Sequence, residues 1–330
     1  MRGLQLGFKG NQINVSSHDP PFEMLSIDLP TYGRIPSHAT HLDASANKIR
    51  VVDDSIGSLG SLESLVLDNN RLVTLSPSLL TGLGNLKLLS LSKQKFPQSR
   101  RSRREDYLPM NQMPNQLYLC TNLRELYLNS NKIVQISEDI AHIPNLEILD
   151  LIDNHIQSVP SSMCANLAKL KYFGLSSNMI TSLPDNIGDL KSLQVLRLSG
   201  NKLVYLPNSI CLLGFLTTLS LSRNRLVYLP SEFFKLVGLL PSNNASFHIS
   251  HIDRTFGPSL DLYGNETTLI YPSPKICLRD DQVIMDEMFK YMQFVNEKPD
   301  LLQKEMEKAR KHLPIDHQGH SLPALKFGIE

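Results

Sequence analysis

Leu193, Leu196, Leu198, Asn201 and Leu203 recur one period further on as Leu216, Leu219, Leu221, Asn224 and Leu226. This L-x-x-L-x-L-x-x-N-x-L spacing constrains the chain more than its composition does, because units of so short a period bury their apolar faces only against their neighbours. Walked upstream by first position, the frame meets Ala39, Leu62, Leu86, Leu123, Leu146 and Leu170. The steps agree to within a single position, except for a much longer one between Leu86 and Leu123. Asn47, Asn70, Asn131, Asn154, Asn178, Asn201 and Asn224 hold the polar position of seven motifs, and Gln94 holds that of the other.

Side chains alternate along a strand, so the two leucines of L-x-L share one face and commit it to a core. The asparagine falls where the chain leaves the strand, and its amide can bond backbone groups of its own and the adjoining coil that burial would leave unpaired. The second half of each unit, as in Leu206-Pro207-x-x-Ile210-x-x-Leu213, buries about every third residue, a pattern that suits 3-10 or loosely helical backbone. Proline in that half costs no strand hydrogen bond. The fold class predicted is a right-handed α/β solenoid, a horseshoe with short parallel strands on the concave side and 3-10 or loop segments on the convex side.

These residues resemble the intracellular leucine-rich repeat proteins of the Ras-group type, with consensus LxxLxxLxLxxNxLxxLPxxI. The resemblance covers residues 39–240 and resumes at Leu260-Asp261-Leu262-Tyr263-Gly264-Asn265. It implies a solenoid of residues 39–268, preceded by a divergent cap or partial repeat over 1–38. Residues 269–330 then form an exit segment and capping helices. The fold serves many partners, so the resemblance says little about which one is bound.

A formal net charge of +1 in 330 residues argues against a dedicated nucleic-acid or membrane-surface binder. Residues 1–25 carry no long apolar run, and no stretch reaches the length of a membrane span. Cys120, Cys164, Cys211 and Cys277 lie a coil or more apart, without a C-x-x-C pair, and read as reduced structural thiols rather than a metal or redox site. A cytoplasmic location with nuclear access follows. The sequons at Asn14, Asn244 and Asn265 then read as accidental.

Two breaks interrupt the period. The long step after Leu86 implies an insertion near 97–112 that carries Arg100, Arg101, Arg103 and Arg104, with Ser99 and Ser102 placed to accept phosphate. Such a loop fits a solvated surface, a contact for an acidic partner or a nuclear-localisation patch. A second insertion near 241–258 includes His248 and His251, which read as ordinary loop histidines because no further ligand completes a set. Beyond the repeats, Ile284, Met285, Met288, Phe289 and Met292 trace an amphipathic helix over 280–294, suited to covering an open solenoid end. A second helix is predicted from Pro299 to about His312. At the other end, Leu6-x-Phe8-x-x-Asn11-x-Ile13 reads as a degenerate repeat, followed by irregular connection over 14–38.

Function then falls to the outward strand positions. Leu88, Tyr127, Ile148, Ile152, Tyr172 and Val195 cluster at mid-array and are rimmed by Glu125, Asp150 and Arg197, which is the make-up of a protein-binding centre. The reading is a non-catalytic interaction scaffold or adaptor, in signal transduction by resemblance, with no cofactor and no metal. The alternative is a regulatory or substrate-recruiting subunit of a phosphatase or ubiquitin ligase, acting through the basic loop or the terminal helices. No phosphate-cradling glycine loop, HExxH motif or nucleophile triad rises above chance.

Overall fold

The computed structural model describes residues 11–29, 33–94, 110–227, 229–230, 232–236, 239, 247–249, 254–256, 259–265 and 290. Among these, ten short strands form one sheet in chain order: Gln12–Asn14, His41–Asp43, Ser64–Val66, Leu88–Ser90, Glu125–Tyr127, Ile148–Asp150, Tyr172–Gly174, Val195–Arg197, Thr218–Ser220 and Ser259–Asp261. Neighbouring strands in this sheet pair in parallel. The register is set by the middle residue, so that Leu126, Leu149, Phe173, Leu196 and Leu219 stand side by side. All five are fully buried in one core that runs the length of the array. The period of the sequence has become a period in space.

The convex side is built as the spacing predicts. Single 3-10 turns occupy Asp54–Ser58, Leu117–Leu119, Glu138–His142, Ile187–Asp189, Asn208–Leu212 and Phe233–Lys235. Two of the described coils instead carry six-residue helices, Pro77–Gly82 and Ser161–Asn166. The first starts where Ser76 Oγ accepts the Leu79 N–H at 3.1 Å and proline takes the opening turn, a favourable pairing of cap and pre-set φ. Glycine is required where convex turns meet: a Cβ on Gly188 would run into the Ser209 carbonyl of the next coil.

The polar ladder closes each coil onto the next. Asn178 Oδ1 accepts the Ile156 N–H at 2.9 Å, and its Nδ2 donates to the Leu151 and Leu175 carbonyls at 3.0 Å each. Gln94, one methylene longer, keeps the bonds to the preceding coil, accepting from Leu72 and donating to Leu67, both at 2.9 Å, while its own-coil donation shifts to the Ser92 carbonyl at 3.3 Å. Asn265 continues the ladder by accepting from Leu226 and donating to Leu221 and Leu262. It is fully buried, which closes that sequon.

One regularity was not legible in the residues. The residue before every ladder position is left-handed: Ala46, Asn69, Lys93, Ser130, Asp153, Ser177, Gly200, Arg223 and Gly264 all have φ between 53° and 81°. Most of these are not glycine, and an L-residue there costs about 1–2 kcal/mol. The ladder amides on the following residue hold the strained turn in place.

The same turn corrects the frame at the amino-terminal end. Ile13 pairs with Leu42, and Ser17 has φ 52°, so Ile13 and Val15 take the leucine positions while His18 stands where the asparagine is expected. Leu6 and Phe8 lie outside the described residues. The connection to the next strand is also less irregular than its prolines suggest. Met24–Leu25 pairs in parallel with Val51–Val52, and Asp28–Leu29 forms a small hairpin with Gly33–Arg34.

The long step resolves in a similar way. Met110 and Met113 are buried, and the Met110 and Asn111 carbonyls accept from Lys132 and Val134 of the next coil. The frame therefore resumes at Met110, and residues 110–112 belong to the coil rather than the insertion. In the second break, Phe247–Ile249 pairs antiparallel with Arg254–Phe256, with His248 opposite Thr255, before Ser259–Asp261 rejoins the main sheet. His251, Asn244, Cys277, the exit segment and both terminal helices lie outside the described residues, Lys290 excepted.

Candidate functional site

The outward side chains form two lateral rows across neighbouring strands. One row runs Leu88, Glu125, Ile148, Tyr172, Val195 and Thr218. The other runs Ser90, Tyr127, Asp150, Gly174, Arg197 and Ser220. Strands lie about 4.8 Å apart, so large residues in a row touch unless small ones intervene. Serine and glycine in the second row make room for the aromatic rings.

Tyr127, Ile148, Tyr172 and Val195 pack together with Leu88 against them, as a cluster separate from the leucine core. The position of this cluster agrees with the sequence reading, but its exposure does not. Tyr127, Tyr172 and Val195 are 0 % exposed, Ile148 is 5 % and Asp150 is 4 %. Leu88, Glu125, Ile152 and Arg197 remain half-buried. The tyrosines point away from the leucine core yet lie out of water, so on the concave side they pack as buried structural residues.

Polar contacts organise the rim. The Tyr127 hydroxyl donates to Glu125 Oε2 at 2.8 Å. Asp150 Oδ1 accepts the Ile152 N–H at 3.1 Å, an end-of-strand bond repeated by Asp43 to Ser45 and Asp261 to Tyr263. Part of the acidic character of the face is therefore used by the backbone. Asp68 Oδ1 accepts both Ser90 Oγ at 2.5 Å and the Ser92 N–H at 2.8 Å. Sequence reasoning passed over Gly174, where a Cβ would come within 2.6 Å of Asp150 Oδ1 and 2.9 Å of Tyr172 Cε1. A glycine among outward positions that otherwise carry side chains was the available signal.

Arg100, Arg101, Arg103 and Arg104 of the basic insertion lie outside the described residues, as do Ser99 and Ser102. Cys120, Cys164 and Cys211 are free and buried in separate coils. Burial pushes the Cys120 thiol up to about 11 and those of Cys164 and Cys211 up to about 12, so they are protonated at neutral pH and poor nucleophiles. Among the described residues no three His, Cys, Asp or Glu gather into a metal-holding group, and no helix is long and apolar enough to cross a membrane.

Residues 37–96 match the family described as leucine rich repeat, residues 121–162 that described as leucine rich repeats (2 copies), and residues 164–240 that described as leucine-rich repeat region. The chain is a leucine-rich repeat protein. Among curated relatives, it is 35% identical over 171 residues to Ras guanine nucleotide exchange factor V of Dictyostelium discoideum, covering 44% of this chain and 8% of that protein. It is 25% identical over 166 residues to adenylate cyclase of Schizosaccharomyces pombe, covering 48% of this chain and 9% of the relative. This leucine-rich repeat chain thus spans less than a tenth of the length of those relatives. Among solved structures, a chain of the Drosophila Toll–Spatzle complex superposes with a TM-score of 0.52 at 25% identity, covering 60% of this chain and 25% of that one.

Proposed function

We propose that this leucine-rich repeat protein is a non-catalytic protein-binding scaffold in signal transduction, acting in the cytoplasm and docking its partner on the concave face. The observation that carries this reading is the second apolar cluster. Tyr127, Ile148, Tyr172, Val195 and Leu88 lie on the face that the leucine core does not use. An apolar centre rimmed by Glu125, Asp150 and Arg197 has the composition of an interface hot spot, with charges positioned to choose the partner. The similarity to a Ras exchange factor and an adenylate cyclase supports a signalling context, and the Toll–Spatzle complex supports a protein ligand for this fold.

A photo-reactive phenylalanine analogue tests the face directly. Placed at Ile152 on the concave side, it should cross-link one discrete cytosolic protein. The same probe at Phe215 should not, as Phe215 is exposed in the turn that precedes the strand Thr218–Ser220. Equal capture from both positions would overturn the concave assignment.

A further inference from the structure

We propose that the flank formed by the turns that follow the strands is a second docking surface, and that its partner is an acidic amphipathic helix. This surface is separate from the concave face and stands without it. In each of these turns the ladder amide and the apolar residue two positions on face inward, so the residue between them faces out. Asn201 and Leu203 are buried while Lys202 is exposed, and Asn224, Arg225 and Leu226 repeat the arrangement. Backbone hydrogen bonds align these outward residues from coil to coil. The N–H of Arg71 donates to the Ile49 carbonyl and that of His155 to Ile133, both at 2.8 Å, while Lys202 donates to Ile180 and Arg225 to Leu203, both at 2.9 Å. They therefore stand in one column.

The column is basic and uncompensated. Arg71, Lys132, Lys202 and Arg225 stand in it, with Lys93 and Arg223 on the other side of the ladder amide. All but the half-buried Arg71 are exposed. Among the described residues beside a ladder amide between Arg71 and Arg225, Asp153 is the one acid. None of the six bases makes an ion pair with a described residue. Where the chain enters the strands, on the opposite flank, the bases are paired: Lys87 meets Glu63 at 2.8 Å and Lys171 meets Glu147 at 2.6 Å. A chain of formal net charge +1 thus carries one neutralised flank and one that attracts anions.

A second column is apolar. Val73 and Val134, each two residues beyond a base, are 42 % and 40 % exposed, and Met179 fills a place in the basic column at 37 %. The matching partner offers about one carboxylate per coil with apolar side chains alongside. Coils repeat at about 4.8 Å, and a helix presents side chains along one stripe at about 5.4 Å per turn, a difference that long lysine and arginine arms absorb. From Arg71 to Arg225 the column crosses six coil spacings, about 29 Å, which a helix of about 19 residues spans. Its width of about 10 Å covers both columns. A nucleic-acid backbone would answer the bases but leave the valines against phosphate, burying no apolar area with them.

The probe is a fluorescein-labelled helical peptide of about 20 residues, with one glutamate per turn and leucine on the adjoining stripe, titrated with purified full-length chain. Anisotropy should rise saturably at about 20 mM salt, and affinity should fall about tenfold at about 500 mM. Lys132→Glu with Lys202→Glu should weaken binding about tenfold at an unchanged melting temperature, and the same peptide with lysine in place of glutamate should then bind the variant better than the native chain. Should the melt shift, Lys132→Gln with Lys202→Gln takes its place with the same expected loss. Val73→Ser with Val134→Ser should weaken binding several-fold while keeping the salt dependence. A photo-reactive analogue at Val134 should cross-link the peptide, and one at Ile152 should not. The proposal is overturned by no saturable binding, by equal binding of a peptide whose glutamates are scattered around the helix, by indifference to both double variants, or by a link at Ile152 alone. Tighter binding of a single-stranded RNA oligonucleotide or of phosphatidylserine vesicles, lost with the same lysines, also overturns it and assigns the flank to nucleic acid or to a membrane surface.

Discussion

The buried asparagine is the residue that turns a repeating sequence into a repeating structure. Asn178 satisfies one N–H and two carbonyls of two coils at once, so Asn178→Ala should cost about 1–3 kcal/mol by leaving them without a partner. A thermal melt of the variant checks this, and an unchanged melting temperature would contradict the ladder's role. The thiols make a second prediction. Unfolded cysteine ionises near 9.0, but burial holds Cys120 at about 11 and Cys164 and Cys211 at about 12. The stability these protonated thiols contribute is fully present below pH about 9 and is lost as pH climbs through the folded values, because only the unfolded chain gains by ionising. Melting temperature should fall between pH 8 and pH 10.5, and replacing Cys164 and Cys211 with alanine should flatten that fall.

At the scale of the element, each three-residue strand has two faces with different duties. The inner face holds the leucine core, while the outer face of the central strands holds the tyrosine cluster. Tyr172 is fully buried between Val195, Ile148 and the space above Gly174, so Tyr172→Ala should destabilise the fold by roughly 3 kcal/mol, as for other buried aromatic truncations. Tyr172→Phe keeps the ring and should cost about 1 kcal/mol or less, the net value of one hydrogen bond. Chemical denaturation of both variants tests the assignment. Equal, negligible losses would mean that the ring stands in solvent. Gly174→Ala should destabilise the same cluster, since its Cβ has no room beside Asp150 and Tyr172.

Across the whole molecule, stability is a sum over coils and the contacts between neighbours, so a change is felt according to whether it interrupts the stack. If the period's insertion lies outside the stack, as the spacing around Met110 predicts, deleting residues 98–106 should shift stability by no more than roughly 0.5 kcal/mol. A large loss in a denaturant titration would place those residues inside a coil. The positions of the leucines and of Asn47 to Asn224 were enough to determine the solenoid, its parallel strands, its register and the place of the binding-face candidates. So short a period has few ways to bury its apolar side, and every unit repeats the same solution. What the residues did not determine was decided by contacts between distant parts of the chain. The left-handed turns before the ladder carry alanine, lysine and arginine, which no local preference would select, and they persist because the next residue's amide is locked by the adjoining coil. The first coil is framed by Ile13 and Val15 rather than Leu6 and Phe8, because pairing with Leu42 decides it. Tyr127 and Tyr172 alternate as surface residues do, yet they are buried. Alternation states which way a side chain points, and only the folded chain decides what lies across from it.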